Sequence, residues 1–133
     1  MIGHTIELEG DFDTALERVI DSLASEGFGV ITRIDMDETF REKLGVEFRR
    51  YVILGACNPK LAHKAVSDAA EIGLLLPCNV TVESTGDGVR VRLLDAERMI
   101  GDAGMGESET LKELAEDAGG RLQRVAESLR TQH

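Results

Sequence analysis

No stretch of this 133-residue sequence is apolar for long enough to cross a bilayer. The longest strongly apolar run, Ile72 to Leu76, falls far short of the roughly 20 residues a membrane-spanning helix needs, so no membrane partner is expected. Met1 to Thr5 lack the basic region, apolar core and small-residue cleavage site of a secretory signal, which leaves the cytoplasm as the expected location. Lysine is scarce, confined to Lys43, Lys60, Lys64 and Lys112, and the 15 Lys and Arg residues form no basic run. Against them stand 25 acidic residues and a formal charge of −10, a field that repels phosphate backbones and argues against nucleic acid as a partner. Cysteine occurs twice, too seldom for a disulfide framework, and in a reducing compartment both thiols are expected to be free.

Several catalytic patterns are missing as well. There is no Ser-His-Asp order and no nucleophile elbow, so hydrolysis has no constellation to support it. The glycine-rich stretch Gly101 to Gly106 lacks the Gly-Lys-Ser/Thr ending of a P-loop and the Rossmann glycine order, and reads as a flexible linker. No zinc-ligand spacing appears and no metal is expected. His63 lies on a polar face of its helix, His4 sits on the apolar side of the first strand as a core residue, and His133 is terminal. No cofactor can be named, and the balance is against an enzyme.

What is present is a 42% hydrophobic chain with no internal repeat, consistent with one domain over residues 1–133. Ile2, His4, Ile6 and Leu8 alternate with polar residues and predict a strand ending near Gly10. From Asp11 the period changes: Phe12, Ala15, Leu16, Val19, Ile20 and Leu23 predict an amphipathic helix capped by Asp11 or Asp13 and followed by Gly27. Phe28, Val30 and Ile34 predict a second strand with those three residues on one side. Met36, Phe40 and Leu44, with Gly45 after them, suggest a short helix or an ordered excursion. Arg49 to Ala56 reads as a central strand ending at Cys57. Asn58 and Pro59 then fit an N-cap and first helical position, with the helix running to about Ala70. The apolar return from Glu71 to Cys78 carries Leu74, Leu75 and Leu76, which cannot all face water cheaply and are expected in the core, at an interface or beside an apolar pocket. Residues 79–84 and 89–94 flank Thr85-Gly86-Asp87-Gly88 and predict a hairpin whose glycines permit positive backbone dihedrals. A stripe from Leu111 to Leu129 continues in phase through Gly119 and Gly120 and predicts one long helix over about 107–131. Strands interrupted by helices and closed by a hairpin imply an α+β fold, an antiparallel or mixed sheet with helices on one face.

Cys57 stands immediately before a helix start, where unpaired amides and the positive end of the helix dipole stabilise a thiolate. Cys78 is separated from it by a helix of roughly 18 Å and a return able to span roughly 26 Å, so the chain can bring the two thiols together. Free cysteine is commonly buried, so the default reading of each is a small core residue. The alternative is a redox pair or soft-metal site in which Cys57 is the thiolate, Asn58 sits beside it and Cys78 resolves it or supplies a second ligand.

The paired elements Tyr51-Val52-Ile53-Leu54-Gly55-Ala56-Cys57-Asn58-Pro59 and Glu71-Ile72-Gly73-Leu74-Leu75-Leu76-Pro77-Cys78-Asn79-Val80 resemble the domain of unknown function 302 family. The resemblance covers residues 1–101 and leaves the C-terminal helix outside its diagnostic part. It implies a TATA-binding-protein-like fold, a curved antiparallel sheet of about five strands with helices packed on one face, and often a homodimer. It implies no established reaction. Together these readings lead to the expectation of a small, dimeric, non-enzymatic ligand-binding or stress-related module that takes a small apolar ligand, with thiol-redox or soft-metal binding through Cys57 and Cys78 as the alternative.

Overall fold

Period-two burial in β1 (Gly3–Glu9) places Ile6 and Leu8 in the core and leaves Glu7 and Glu9 outside. The computed structural model describes residues 2–131, so the terminal position of His133 lies outside the described residues. Asp11 caps α1 (Phe12–Ser25) by accepting from the Thr14 amide, and Gly27, at φ 86°, turns the chain out of the helix. Then come β2 (Gly29–Asp35), α2 (Met36–Leu44), β3 (Tyr51–Cys57), α3 (Pro59–Asp68) and a 3₁₀ helix over Ala70–Leu75. The chain continues through β4 (Cys78–Ser84), β5 (Gly88–Leu94), α4 (Ala96–Asp102) and α5 (Glu109–Thr131).

The strands form one antiparallel sheet in the order β1-β5-β4-β3-β2, curved, with the helices packed on one face, which makes the fold α+β. Along the helical face, Val52, Leu54, Val80, Val82, Val91 and Leu93 meet the buried stripes of α1 and the C-terminal half of α5, including Leu122, Val125 and Leu129. Each such fully buried aliphatic side chain contributes about 1.5–3 kcal/mol relative to exposure. The N-terminal half of α5 serves a second, smaller cluster with Ala65 of α3, Ile72 and Ile100 of α4. α5 therefore ties two apolar clusters together, and it runs uninterrupted through Gly119 and Gly120 as its periodicity predicts. At Gly119 a Cβ would lie 3.1 Å from the Glu97 carboxylate, so the Glu97 side chain of α4 packs closely over this glycine.

Four expectations change. In β2 the pairing with β3 slips between Val30 and Thr32, and beyond this bulge Ile34 stands opposite Ile53, on the face away from the helices. Val30 and Ile34 therefore point to opposite faces, because one inserted residue inverts the alternation. The hairpin glycines do not use positive dihedrals: Gly86 and Gly88 both have ordinary φ. The turn is closed instead by Thr85, whose amide donates to the Gly88 carbonyl and whose hydroxyl accepts from the Gly88 amide. Gly88 is required by space, since a Cβ there would come 2.3 Å from the Leu8 carbonyl oxygen of the neighbouring β1. The linker over 101–106 begins inside a helix, α4, which Asp95 caps by accepting from the Arg98 amide. The three leucines, finally, do not share one environment: Leu75 and Leu76 pack on the second cluster while Leu74 is 89% exposed, because the tight 3₁₀ turn rotates neighbouring side chains apart.

Candidate functional site

The chain leaves the sheet at Cys57 and returns to it at Cys78, on the adjacent strand, where Cys78 pairs with Ala56. Asn58 caps α3 as its sequence position predicts, its Oδ1 accepting from the Leu61 amide at 3.3 Å, with Pro59 in the first turn. Its amide group also packs against Gly27, where a Cβ would lie 2.8 Å from Nδ2. The helix excursion thus carries Cys57, Asn58 and Cys78 to one end of the sheet.

There they line a common apolar pocket with a free volume of about 70 Å³. Its floor is Phe28 and Ala56, and its walls come from Leu61 and Ala62 of α3, Leu76, Met99 of α4 and Leu111 of α5. Cys57 is half-buried and Cys78 buried, and both are free thiols. Burial pushes the Cys78 thiol up to about 11, with the nearby Cys57 adding to the rise, so Cys78 is neutral at ordinary pH. Cys57 is the thiol nearer to solvent.

The structure brings together Cys57, Asn58, Cys78 and Leu76, places Leu75 behind the wall and leaves Leu74 outside. His63 is exposed and does not line the pocket, and His4 is half-buried on β1. Among the described residues no group of three or more His, Cys, Asp or Glu side chains is arranged to hold a metal, and no helix is long and apolar enough to cross a membrane. Sequence reasoning missed the walls supplied by α4 and α5. Asp95 followed by Ala96, Met99 and Ile100 at helical spacing was the available signal for α4. It also missed Glu83, a carboxylate only 2% exposed on the opposite face of the sheet. Arg49 and Arg92 donate to it, and Arg90 stands 3.9 Å away. Burial raises the Glu83 pKa, but the hydrogen bonds and charges of Arg92 and Arg49 outweigh it and hold the carboxyl below its usual value.

Fold and pocket define a class: a small α+β protein whose five-stranded antiparallel sheet is backed on one side by helices, with two thiols at the edge of an apolar hollow. The chain belongs to the family described as domain of unknown function DUF302, whose model matches residues 4–129. That match takes in almost all of α5, so the C-terminal helix is part of the family domain and the limit at residue 101 expected from the sequence motifs is too short. Among solved structures, the uncharacterized conserved protein DUF302 from Bacillus stearothermophilus is similar at 29% identity and a TM-score of 0.84, over 98% of this chain and 99% of that one. No curated protein matches the chain.

Proposed function

We propose that this protein is a non-enzymatic binding module that takes a small apolar group into the pocket beside Cys57 and Asn58. The observation that carries this reading is the lining: side chains from three helices converge on a hollow whose lining is apolar but for Asn58 and the thiols of Cys57 and Cys78. An apolar cavity of about 150 Å³ holds benzene; at about 70 Å³ this one suits a short aliphatic group, or the tip of a larger ligand whose remainder passes Cys57. Xenon is a suitable probe because it enters apolar cavities without needing hydrogen bonds. Amide and methyl NMR signals of Leu61, Ala62, Met99 and Leu111 should shift saturably with xenon pressure, and Ala62→Leu should abolish the response. Unperturbed signals, or an undiminished response in Ala62→Leu, would remove the reading. We take the module to be a homodimer in which the exposed Leu74 is covered by the second copy, and a monomeric sedimentation coefficient at micromolar concentration would refute that part.

A second reading rests on the two thiols lining one pocket, close enough for Cys57 to raise the Cys78 thiol. In it, a peroxide oxidises Cys57 to a sulfenic acid, releasing water or an alcohol. Cys78 then displaces water to form a disulfide, two electrons having passed to the peroxide. Its test is the alkylation rate of Cys57 at pH 7.

A further inference from the structure

The face of the sheet opposite the helices carries two cross-strand rows. Antiparallel register aligns Glu7, Arg90, Glu83 and Tyr51 in one, and Thr5, Arg92, Thr81, Ile53 and Ile34 in the other. Arginine and glutamate alternate here on a sheet whose other face presents mostly aliphatic side chains to the helices. The arginine side chains are 39–51% exposed, whereas the carboxylate they surround is buried.

Each guanidinium has five N–H donors. Glu83 accepts one from Arg92 and one from Arg49, and Glu7 accepts one from Arg90 at 2.6 Å. Among the described residues these three side chains make no further side-chain hydrogen bond, and each is partly exposed, so donors remain for a ligand. Along the two rows Arg49, Arg90 and Arg92 face the carboxylates of Glu83 and Glu7, on a chain whose formal charge is −10, while a further carboxylate, the buried Asp37, accepts from the Tyr51 amide at 3.2 Å at the β3 end. The arrangement is also held in place. Arg49 is pinned between Glu83 and the Phe48 ring, with its guanidinium carbon 4.4 Å from the ring centre. Phe48 in turn contacts Tyr51 and Phe40. Beside the charges the same rows continue toward β2 with apolar side chains, the half-buried Tyr51 and Ile53 and the 46%-exposed Ile34.

We propose that this open face is a second ligand site, distinct from the thiol pocket, which binds an oxyanion carried on a flat apolar body. Arg90 and Arg92 would hold the oxyanion through paired N–H donors, Arg49 would supply the third charge, and the ring or chain of the ligand would lie over Tyr51 and Ile53. The planar fork of arginine matches both carboxylate and phosphate oxygens, and Glu83 fixes two of the forks before the ligand arrives, which lowers the ordering cost of binding. The thiol pocket offers no cationic side chain and cannot serve an anion in this way.

Benzoate and phenyl phosphate test the site, with phenol as the neutral control. Amide signals of residues 49–53, 81–83 and 90–92 should shift saturably with the anions and not with phenol. Tighter binding of benzoate assigns a carboxylate ligand, and tighter binding of phenyl phosphate assigns a phosphate monoester. Arg92→Gln should weaken binding about tenfold or more, the scale of a lost charge-assisted hydrogen bond. Arg33→Gln, which breaks the Arg33–Asp35 ion pair on the edge strand, should leave binding unchanged. If Arg92→Gln does not fold, Arg90→Gln carries the test, because Arg90 is held chiefly by the exposed Glu7. No saturable shifts with either anion, an equal response to phenol, or undiminished affinity in a folded arginine variant would overturn the proposal.

Discussion

Replacing Glu83 by glutamine probes the charge cluster directly, because the substitution keeps the volume of the side chain and removes only its charge. In the folded protein the carboxylate accepts from Arg92 and, at 2.8 Å, from Arg49. A hydrogen bond to a charged group is worth about 1.5–3 kcal/mol net. Two of these would set the upper limit, but the arginine partners are partly exposed and water competes for them, and the glutamine amide oxygen retains one acceptor. The expected loss at pH 7 is therefore about 2 kcal/mol. With a urea slope of about 1–2 kcal/mol/M for a chain of this size, the denaturation midpoint should fall by roughly 1–2 M. The sign of the pH dependence follows from the direction of the shift. Glu83 has a folded pKa below its ordinary value of 4.5, so its contribution is fully present above 4.5 and is lost as pH falls through the folded value. The gap between wild type and Glu83→Gln should be widest near neutrality and should close in acid, where a protonated glutamate resembles glutamine. Equal midpoints at pH 7, or a gap of unchanged size well below the folded pKa, would refute the reasoning that charge, and not packing, makes Glu83 stabilising.

Two other expectations come from local geometry. A Cβ on Gly55 would lie 2.0 Å from the Thr32 hydroxyl oxygen and 2.7 Å from the Pro77 ring, so Gly55→Ala should destabilise by about 1–3 kcal/mol; Thr32→Ala in the same chain should recover part of this, and strictly additive thermal shifts would count against the clash. For the thiols, Cys57 should alkylate well before Cys78 at pH 7, since Cys78 is buried and its thiol is pushed up to about 11. The redox reading further requires Cys57 to react faster than free cysteine, and an equal or slower rate would eliminate it.

Much of the path of the chain was legible because it is written in short-range rules. Alternation specified β1, a three-and-four period specified α1 and α5, and Asn58-Pro59 specified the start of α3 through groups within one helical turn of each other. The same motifs placed Cys57 and Cys78 at the two ends of one excursion. Contacts remote in sequence were not legible in this way. Arg49 reaches Glu83 across 34 positions, and the pocket wall formed by Leu111 is brought to Cys57 only when α5 packs across α3.

By itself, then, the sequence determined most of the segments that coil or extend, α4 and the 3₁₀ turn over Ala70–Leu75 excepted, since those choices depend on propensities and caps spanning a few residues. Tertiary structure alone decided which side of each element became a surface of consequence. A bulge in β2 turned Ile34 onto the open face, a 3₁₀ turn separated Leu74 from Leu76, and antiparallel register assembled three arginines around Glu83. Facing and register follow from how strands and helices pack against one another, and a period counted along one segment carries no information about its neighbour's alignment.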